Sequence, residues 1–360
     1  MGVMQYRQAG HAQVQELNSS SFTCFICAMS HYHLYAIGNA LVDSEYEVSD
    51  AQLQAMGVDK RHMTLIDTPR RADLLKQVQG QAHRRTGGGS AGNTVVALAQ
   101  LGGQAFYSCQ VADDELGDFY AQDLQTWGVH TNLTHTRAQE GQTGSCMVLV
   151  TPDAERSMCT FLGVSAELNE NALQPAAIAK SKIYYMEGYL AASPTGLQAA
   201  MTGREMAVKA GVPLALTLSD VSMIQFCRPG LDAMLGNGVD YLFCNIEEAQ
   251  VWCGTQDMAV IRSQLQALAK TVCLTQGPLG SDILHNNQSL HVPATPVTAV
   301  DTNGAGDMFA GCFLYAITHG HGIEAAARLA NRAAAWVVSQ HGNRLTREQL
   351  QGIKAVALAA

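Results

Sequence analysis

Asp307 closes the string Asp301-Thr302-Asn303-Gly304-Ala305-Gly306-Asp307 and directly precedes the apolar run 308–317. A Gly-Ala-Gly turn at a helix start leaves backbone N–H groups unpaired and aimed at one point. With the positive end of the helix dipole, that makes an anion site. A carboxylate beside such a site repels the anion. Its presence makes sense where it must take a proton from a hydroxyl that attacks a phosphoryl group. The plainer alternative is a tight strand-to-helix turn, but the whole string is far more specific than a bare Gly-x-Gly.

Asn245-Ile246-Glu247-Glu248 follows a β-like run, 240–244. Asn245 and Glu248 are three apart and share a face in a helix's first turn. Hard oxygen ligands there suit Mg2+, held directly or through its waters; the same pair also spells a capping box. Thr275-Gln276-Gly277-Pro278-Leu279-Gly280 ends another strand. Its glycines allow close approach to a nucleotide, or simply a hairpin turn into 281–285. Gly88-Gly89-Ser90-Ala91-Gly92-Asn93 opens a helix. The paired glycines suit a hinge, Asn93 suits a substrate hydroxyl, and Ser90 reads as an ordinary cap. Asp43, in Gly38-Asn39-Ala40-Leu41-Val42-Asp43 after the first strand, is either a bidentate acceptor for a vicinal diol or a solvated turn residue. Arg156 could neutralise a transferring phosphate or make a surface salt bridge. A purine needs an apolar slot with an aromatic wall. Tyr189, Met63 and Phe161 are candidates for it, although each reads equally well as core.

These residues hang on an alternation of strands and helices. Strands are expected at 34–38, 105–111, 144–150, 157–162, 182–186, 213–218, 240–244, 271–275 and 290–300 (as 290–292 and 297–300). Helices are expected at 69–79, 91–101, 115–127, 195–211, 222–235, 246–253, 257–269 and, twice, within 304–340. That pattern is an α/β, Rossmann-like fold: a mostly parallel sheet with helices on both faces and ligands at the carboxyl ends of its strands. The β-like pieces 45–66 and 81–88 lack crossover helices and belong to a small accessory sheet, a lid built from about 44–67 and 81–88.

The chain of 360 residues is 47% hydrophobic with net charge −9, enough for one large domain with an appendage. It has no basic run, which argues against nucleic acid as a partner. No apolar run reaches membrane-spanning length. The ten cysteines are scattered, several in apolar runs, as expected of free thiols in a reducing cytoplasm. Cys24-x-x-Cys27 has no second pair at zinc spacing. Residues 1–31 read as a disordered extension ahead of a domain spanning 32–360. No Gly-x-x-x-x-Gly-Lys-Ser/Thr loop occurs, and no GxGxxG follows the first strand, which argues against a P-loop NTPase and a dehydrogenase.

Taken together, Gly88-Gly89-Ser90-Ala91-Gly92-Asn93-Thr94, Asn245-x-x-Glu248 and Asp301-Thr302-x-Gly304-Ala305-Gly306-Asp307 resemble the ribokinase-like (PfkB) family of carbohydrate and nucleoside kinases, in that family's order from Tyr32 to about Leu345. Within it the chain is most similar to bacterial adenosine-kinase-like members, through Ala36-Ile37-Gly38-Asn39-Ala40-Leu41-Val42-Asp43 and Phe161-Leu162-Gly163. Gly92 departs from the expected alanine and suggests a loosely started helix. The resemblance implies ATP-dependent phosphorylation of a hydroxymethyl group, with Mg2+ and, in some members, a monovalent cation such as K+. It implies Asp307 as base and Gly304, Ala305 and Gly306 as anion hole. It implies Asp43, Gly89 and Asn93 around the acceptor and Thr275, Gly277 and Gly280 around the nucleotide; Asn39, Gly88, Arg156 and Tyr189 join the acceptor candidates, and Asn245 and Thr302 the nucleotide candidates. Asn245 and Glu248 would position Mg2+. The acceptor is expected to be the 5′-hydroxyl of a nucleoside, adenosine first, with a sugar as the alternative and a non-catalytic binding relative a third. A cytoplasmic monomer or homodimer is expected.

Overall fold

Leu34-Tyr35-Ala36-Ile37 is apolar at every position, as a strand buried on both faces should be, and it lies inside the main sheet. The computed structural model describes residues 32–61, 63–81, 83–153 and 155–359. Its strands, in chain order, are β1 (Leu34–Ile37), β2 (Leu41–Glu47), β3 (Met63–Leu65), β4 (His83–Gly88), β5 (Ala105–Ser108), β6 (His130–Thr131), β7 (Ser145–Val150), β8 (Arg156–Phe161), β9 (Tyr184–Glu187), β10 (Leu214–Thr217), β11 (Val239–Asn245), β12 (Ala269–Thr275), β13 (Ser281–His285) and β14 (Gln288–Val292).

The larger sheet runs β14-β13-β12-β11-β10-β9-β1-β5-β6. It is parallel except at β13 and β14, which form an antiparallel hairpin at one edge. Side chains alternate along β1. Leu34 and Ala36 join one apolar layer, under helices Ser90–Gln100, Ala305–Thr318 and Ile323–Val338. Tyr35 and Ile37 join the other, under helices Pro194–Lys209, Ile246–Cys253 and Met258–Gln266.

The smaller sheet runs β3-β8-β7-β2-β4. It takes β2, β3 and β4 from the stretches expected to form the lid, and β7 and β8 as well. Its own core includes Tyr46, Leu53, Leu74 and Leu149. Asp43 therefore lies inside a strand, paired to Thr86 on one side and Cys146 on the other. It is not the turn residue that its place after the first strand suggested.

Other local expectations are corrected by recognisable physics. The stretch 297–300 is not a strand. Pro293 and Pro296 cannot donate to a ladder, and Val297 and Val300 are exposed. The expected helix 222–235 breaks at Cys227 into Val221–Phe226 and Arg228–Leu235. Pro229, tolerated at a helix start, would remove a bond from a helix interior. Helices Asp50–Ala55 and Arg347–Ala357 went unforeseen although each has a complete capping box, from Ser49 with Gln52 and from Thr346 with Gln349. The helix at Gly92 does not start loosely. A Cβ there would lie 2.5 Å from the Tyr120 hydroxyl, which donates to the Gly88 carbonyl at 2.9 Å. Glycine is needed because another helix sits on that spot.

Residues 1–31, with Cys24 and Cys27, lie outside the described residues. Among the described residues the cysteines are free thiols, and no helix is long and apolar enough to cross a membrane.

Candidate active site

The carboxyl ends of β9, β10, β11 and β12 and the turn after β1 open onto a cavity of about 470 Å3, closed on the other side by β2, β3, β7 and β8. That is where an α/β sheet presents ligands. Asp307 stands in it on the first turn of helix Ala305–Thr318. Gly304 turns the chain into this helix with φ 76°, a left-handed conformation open to glycine. The N–H groups of Gly306 and Asp307 have no oxygen partner among the described residues. Gly304, Ala305 and Gly306 all line the cavity.

Asp307 is held on both carboxylate oxygens. Ser90 Oγ donates to Oδ1 at 2.6 Å and Asn93 Nδ2 donates to Oδ2 at 3.0 Å. Burial pushes this carboxyl up to about 6, against the pull of those two bonds and of the Arg344 charge. Ser90 is thus no helix cap. The cap position is Gly89, at φ 85°, with no side-chain bond. A Cβ on Gly89 would meet the Asn39 carbonyl oxygen, so this glycine lets the turn after β1 close against the helix start.

Asp43 faces the same space from β2. Asn343 Nδ2 donates to its Oδ2 at 3.1 Å. Burial pushes the Asp43 carboxyl up to about 7, with Arg344 and Arg156 pulling it down and Asp307 pushing it up. Gly88, on the paired strand β4, does not line the cavity. Its lack of a side chain makes room for Asp43, whose Oδ1 would lie 2.5 Å from a Cβ there. Asn39 lines the cavity with its amide engaged. Its Nδ2 and backbone N–H donate to Glu187 Oε1 at 3.1 and 3.2 Å, and its Oδ1 accepts from Ser165. Glu187 Oε2 accepts the Ala91 N–H at 2.8 Å. Burial pushes this fully enclosed Glu187 up to about 7.

At the other end of the cavity, Asn245 and Glu248 form the capping box in full. Asn245 Oδ1 accepts the Glu248 N–H at 2.8 Å, and Glu248 Oε2 accepts the Asn245 N–H at 3.1 Å. Both residues still line the cavity, as does Asp220. Burial pushes Glu248 up to about 7, its bond from Asn245 pulls it down, and Asp220 and Glu247 push it up. Glu248 is buried, with the half-buried Asp220 and the exposed Glu247 near it and no cation among the effects acting on it; hard carboxylate oxygens of this kind could hold a divalent ion. Among the described residues no group of three or more His, Cys, Asp or Glu that could hold a metal ion occurs.

Thr275, Thr302 and Tyr189 line the cavity; Gly277 and Gly280 do not. The glycines shape the tight turn from β12 into β13, where Gln276 N–H bonds to the Gly280 carbonyl at 2.8 Å. Arg156 also lies off the main cavity. Its guanidinium pairs with Glu45 at 3.0 Å and with the buried Asp301 at 3.0 Å. It ties the smaller sheet to the start of the anion turn. Met63 lines the cavity, whereas Phe161 sits under the Arg71 guanidinium on another groove.

Three residues close to the reacting end went unseen in the sequence: Glu187, Asn343 and Arg344. Glu187 did carry a signal, a carboxylate ending the otherwise apolar strand Tyr184-Tyr185-Met186-Glu187. Asn343 and Arg344 carried none.

The profile of the pfkB family carbohydrate kinases matches residues 58–350. The chain belongs to this family. As a family member it is a kinase, a phosphotransferase that uses ATP to phosphorylate a hydroxyl group of a nucleoside or sugar. The solved structure of adenosine kinase from Sinorhizobium meliloti is similar at 35% identity and a TM-score of 0.81, covering 91% of this chain and 99% of that one. A probable sugar kinase from Rhizobium etli CFN 42 is similar at 34% identity and the same TM-score, with the same two coverages. Among curated proteins, adenosine kinase from Schizophyllum commune is 26% identical over 348 residues, 87% of this chain and 97% of its own length.

Proposed function

We propose that this kinase phosphorylates the 5′-hydroxyl of a nucleoside, adenosine before others, giving AMP and ADP. The observation that carries this reading is the apolar slot that the smaller sheet adds to the cavity. Leu41, Met63, Cys146, Met158 and Leu162 line it beside the hydroxyl-accepting Asp43. A nucleobase fills such a slot and a free sugar leaves it empty; apolar area removed from water contributes roughly 25 cal/mol per Å2. Tyr189 is the aromatic we assign to the base. The relative named adenosine kinase from S. meliloti supports the same acceptor. A free sugar such as ribose or fructose is the second reading, favoured by the relative named a sugar kinase.

In this reading Asp43 and Asn93 hold the ribose hydroxyls, and Asp307 takes the proton of the 5′-hydroxyl as it attacks. The free N–H groups of Gly306 and Asp307, where the Gly304-Ala305-Gly306 turn enters the helix, receive the negative charge that builds on the transferred phosphoryl group. Asn39 and Glu187 keep the helix start in place, and Thr275 and Thr302 flank the nucleotide. The smaller sheet serves as a lid that excludes water. Mg2+ held through its waters by Glu248 and Asn245 would neutralise charge on the ATP phosphates. The protein works in the cytoplasm as a monomer or homodimer.

The test is ATP consumption with Mg2+ across a panel of nucleosides and sugars, run with and without K+ as the expected monovalent activator. Adenosine should give the highest kcat/KM; a faster free sugar moves the assignment to the second reading. For the metal, Glu248→Gln should raise the half-saturating Mg2+ concentration by roughly tenfold and leave the acceptor KM nearly unchanged. An unaltered Mg2+ titration would leave Glu248 with its capping role alone.

A further inference from the structure

The loop 342–344, between helices Ile323–Val338 and Arg347–Ala357, reaches three separate parts of the site with three consecutive residues. Gly342 N–H donates to Asp301 Oδ2 at 3.0 Å. Asn343 Nδ2 donates to Asp43 Oδ2 at 3.1 Å. Arg344 Nε donates to Asn93 Oδ1 at 3.1 Å. Nothing in the phosphoryl-transfer chemistry argued above requires this loop.

We propose that Arg344 is a positioning residue for phosphoryl transfer: it fixes the Asn93 amide so that its nitrogen faces Asp307, and it sets a buried positive charge behind the Asp43 and Asp307 carboxylates. The proposal rests on the kinase reading of this site and goes beyond it by adding a residue that touches neither phosphate nor acceptor.

The geometry leaves the Asn93 amide one sensible orientation. An asparagine presents an acceptor on one side and donors on the other. A guanidinium has donors only, and an ionised carboxylate has acceptors only. With Arg344 on one side and Asp307 on the other, Oδ1 must face Arg344 and Nδ2 must face Asp307, as the distances of 3.1 and 3.0 Å show. The flipped amide would set oxygen against carboxylate and nitrogen against guanidinium. Arg344 is itself anchored. Its Nη1 donates to Asp123 Oδ2 at 2.6 Å, and Asp123 Oδ1 accepts the Trp127 indole N–H at 3.2 Å. Its side chain is 9% exposed. The run is therefore Asp123, Arg344, Asn93, Asp307 and Ser90, with Asp307 gripped from both ends.

Arg344 also acts by charge. It pulls down both Asp307 and Asp43. The other charged and titratable groups around them come from several elements. Asp43 faces Asp307 from β2, Glu187, Tyr185 and Tyr189 face it from the end of β9 and the turn after it, and Arg156 faces Asp43 from β8. Against those acids, Arg344 is the cation that acts on Asp307.

The experiment compares kcat, KM and the pH dependence of kcat for wild type, Arg344→Gln, Arg344→Lys and each of these combined with Asp307→Asn, with folding checked by thermal melting. Arg344→Gln should lower kcat by roughly 10- to 100-fold, the scale of a misplaced reacting group. Its acid limb should move up by about one pH unit, because an opposite charge nearby has been lost. Arg344→Lys keeps the charge but lacks the planar fork, so its kcat should fall while the limb stays at the wild-type pH. In the Asp307→Asn background either substitution should add little, because Arg344 acts through Asp307. A folded Arg344→Gln with kcat within about threefold of wild type, below the range expected of misplacement, and an unmoved limb overturns the proposal. So does full additivity with Asp307→Asn. If Arg344→Gln does not fold, the Lys variant and its double mutant decide by the same criteria. A wild-type protein that consumes no ATP with any acceptor refutes the kinase reading itself, whereas an active wild type with indifferent Arg344 variants refutes this inference alone.

Discussion

Replacing Asp307 by asparagine should lower kcat by on the order of 10²–10⁴-fold, the usual effect of removing a general base. Asparagine keeps the shape and can still bond Ser90 Oγ, which lies 2.6 Å from the native Oδ1, but it cannot take a proton. Substrate positioning and the backbone N–H groups of the anion turn survive, so activity should not vanish. The wild-type rate should have its own signature. Burial holds the Asp307 carboxyl up at about 6. A base works only when deprotonated, so kcat should be steady above that pH and fall as pH drops through about 6. In Asp307→Asn that acid limb should disappear. Steady-state kinetics of both proteins from pH 5 to 9 is the check, and a variant within about threefold of wild type, far below the general-base range, would remove Asp307 from the chemistry.

The second large effect concerns Asp43. A carboxylate accepting two hydroxyls of a vicinal diol loses a partner when one hydroxyl is missing, at about 1–3 kcal/mol for the unmade bond. Adenosine should therefore be preferred over 2′-deoxyadenosine by roughly 10- to 100-fold in kcat/KM. Asp43→Ala should erase most of that preference while leaving the acid limb of kcat in place. Burial, opposed by Arg344 and Arg156, brings the Asp43 carboxyl up to about 7. The protonated form is the poorer acceptor, so the preference should shrink as pH falls through about 7. Both nucleosides measured on both proteins at pH 6 and 8 decide it, and a preference that survives Asp43→Ala would assign the diol to other groups.

What was legible in the sequence had a local cause. The anion turn is a contiguous string whose glycine at 304 has φ 76°, and Asn245 and Glu248 are a first-turn pair three residues apart. The parallel core was legible because its strands are short apolar runs alternating with helical periods. What escaped depends on partners distant in sequence. β7 and β8 read as strands, but which sheet they join is set by pairing with β2 and β3. Asp43 looked like a turn residue because β1 ends at Ile37 and β2 resumes at Leu41, too close for the change of sheet to show. Asn343 reaches Asp43 across 300 positions and Arg344 reaches Asn93 across 251, contacts that neither periodicity nor a motif records. Arg156 was open in the sequence between a phosphate partner and a salt bridge, because the carboxylates it pairs with, Glu45 and Asp301, lie 111 and 145 positions away.

The central claim is that a nucleoside, not a free sugar, receives the phosphoryl group. The most direct measurement is a one-pot competition of adenosine, ribose and fructose at equal concentration, with limiting ATP and Mg2+, read by phosphorus NMR of the products. AMP should exceed any sugar phosphate by at least about tenfold, as expected when a built slot is filled by one substrate and left empty by the others. A sugar phosphate as the main product would contradict the account.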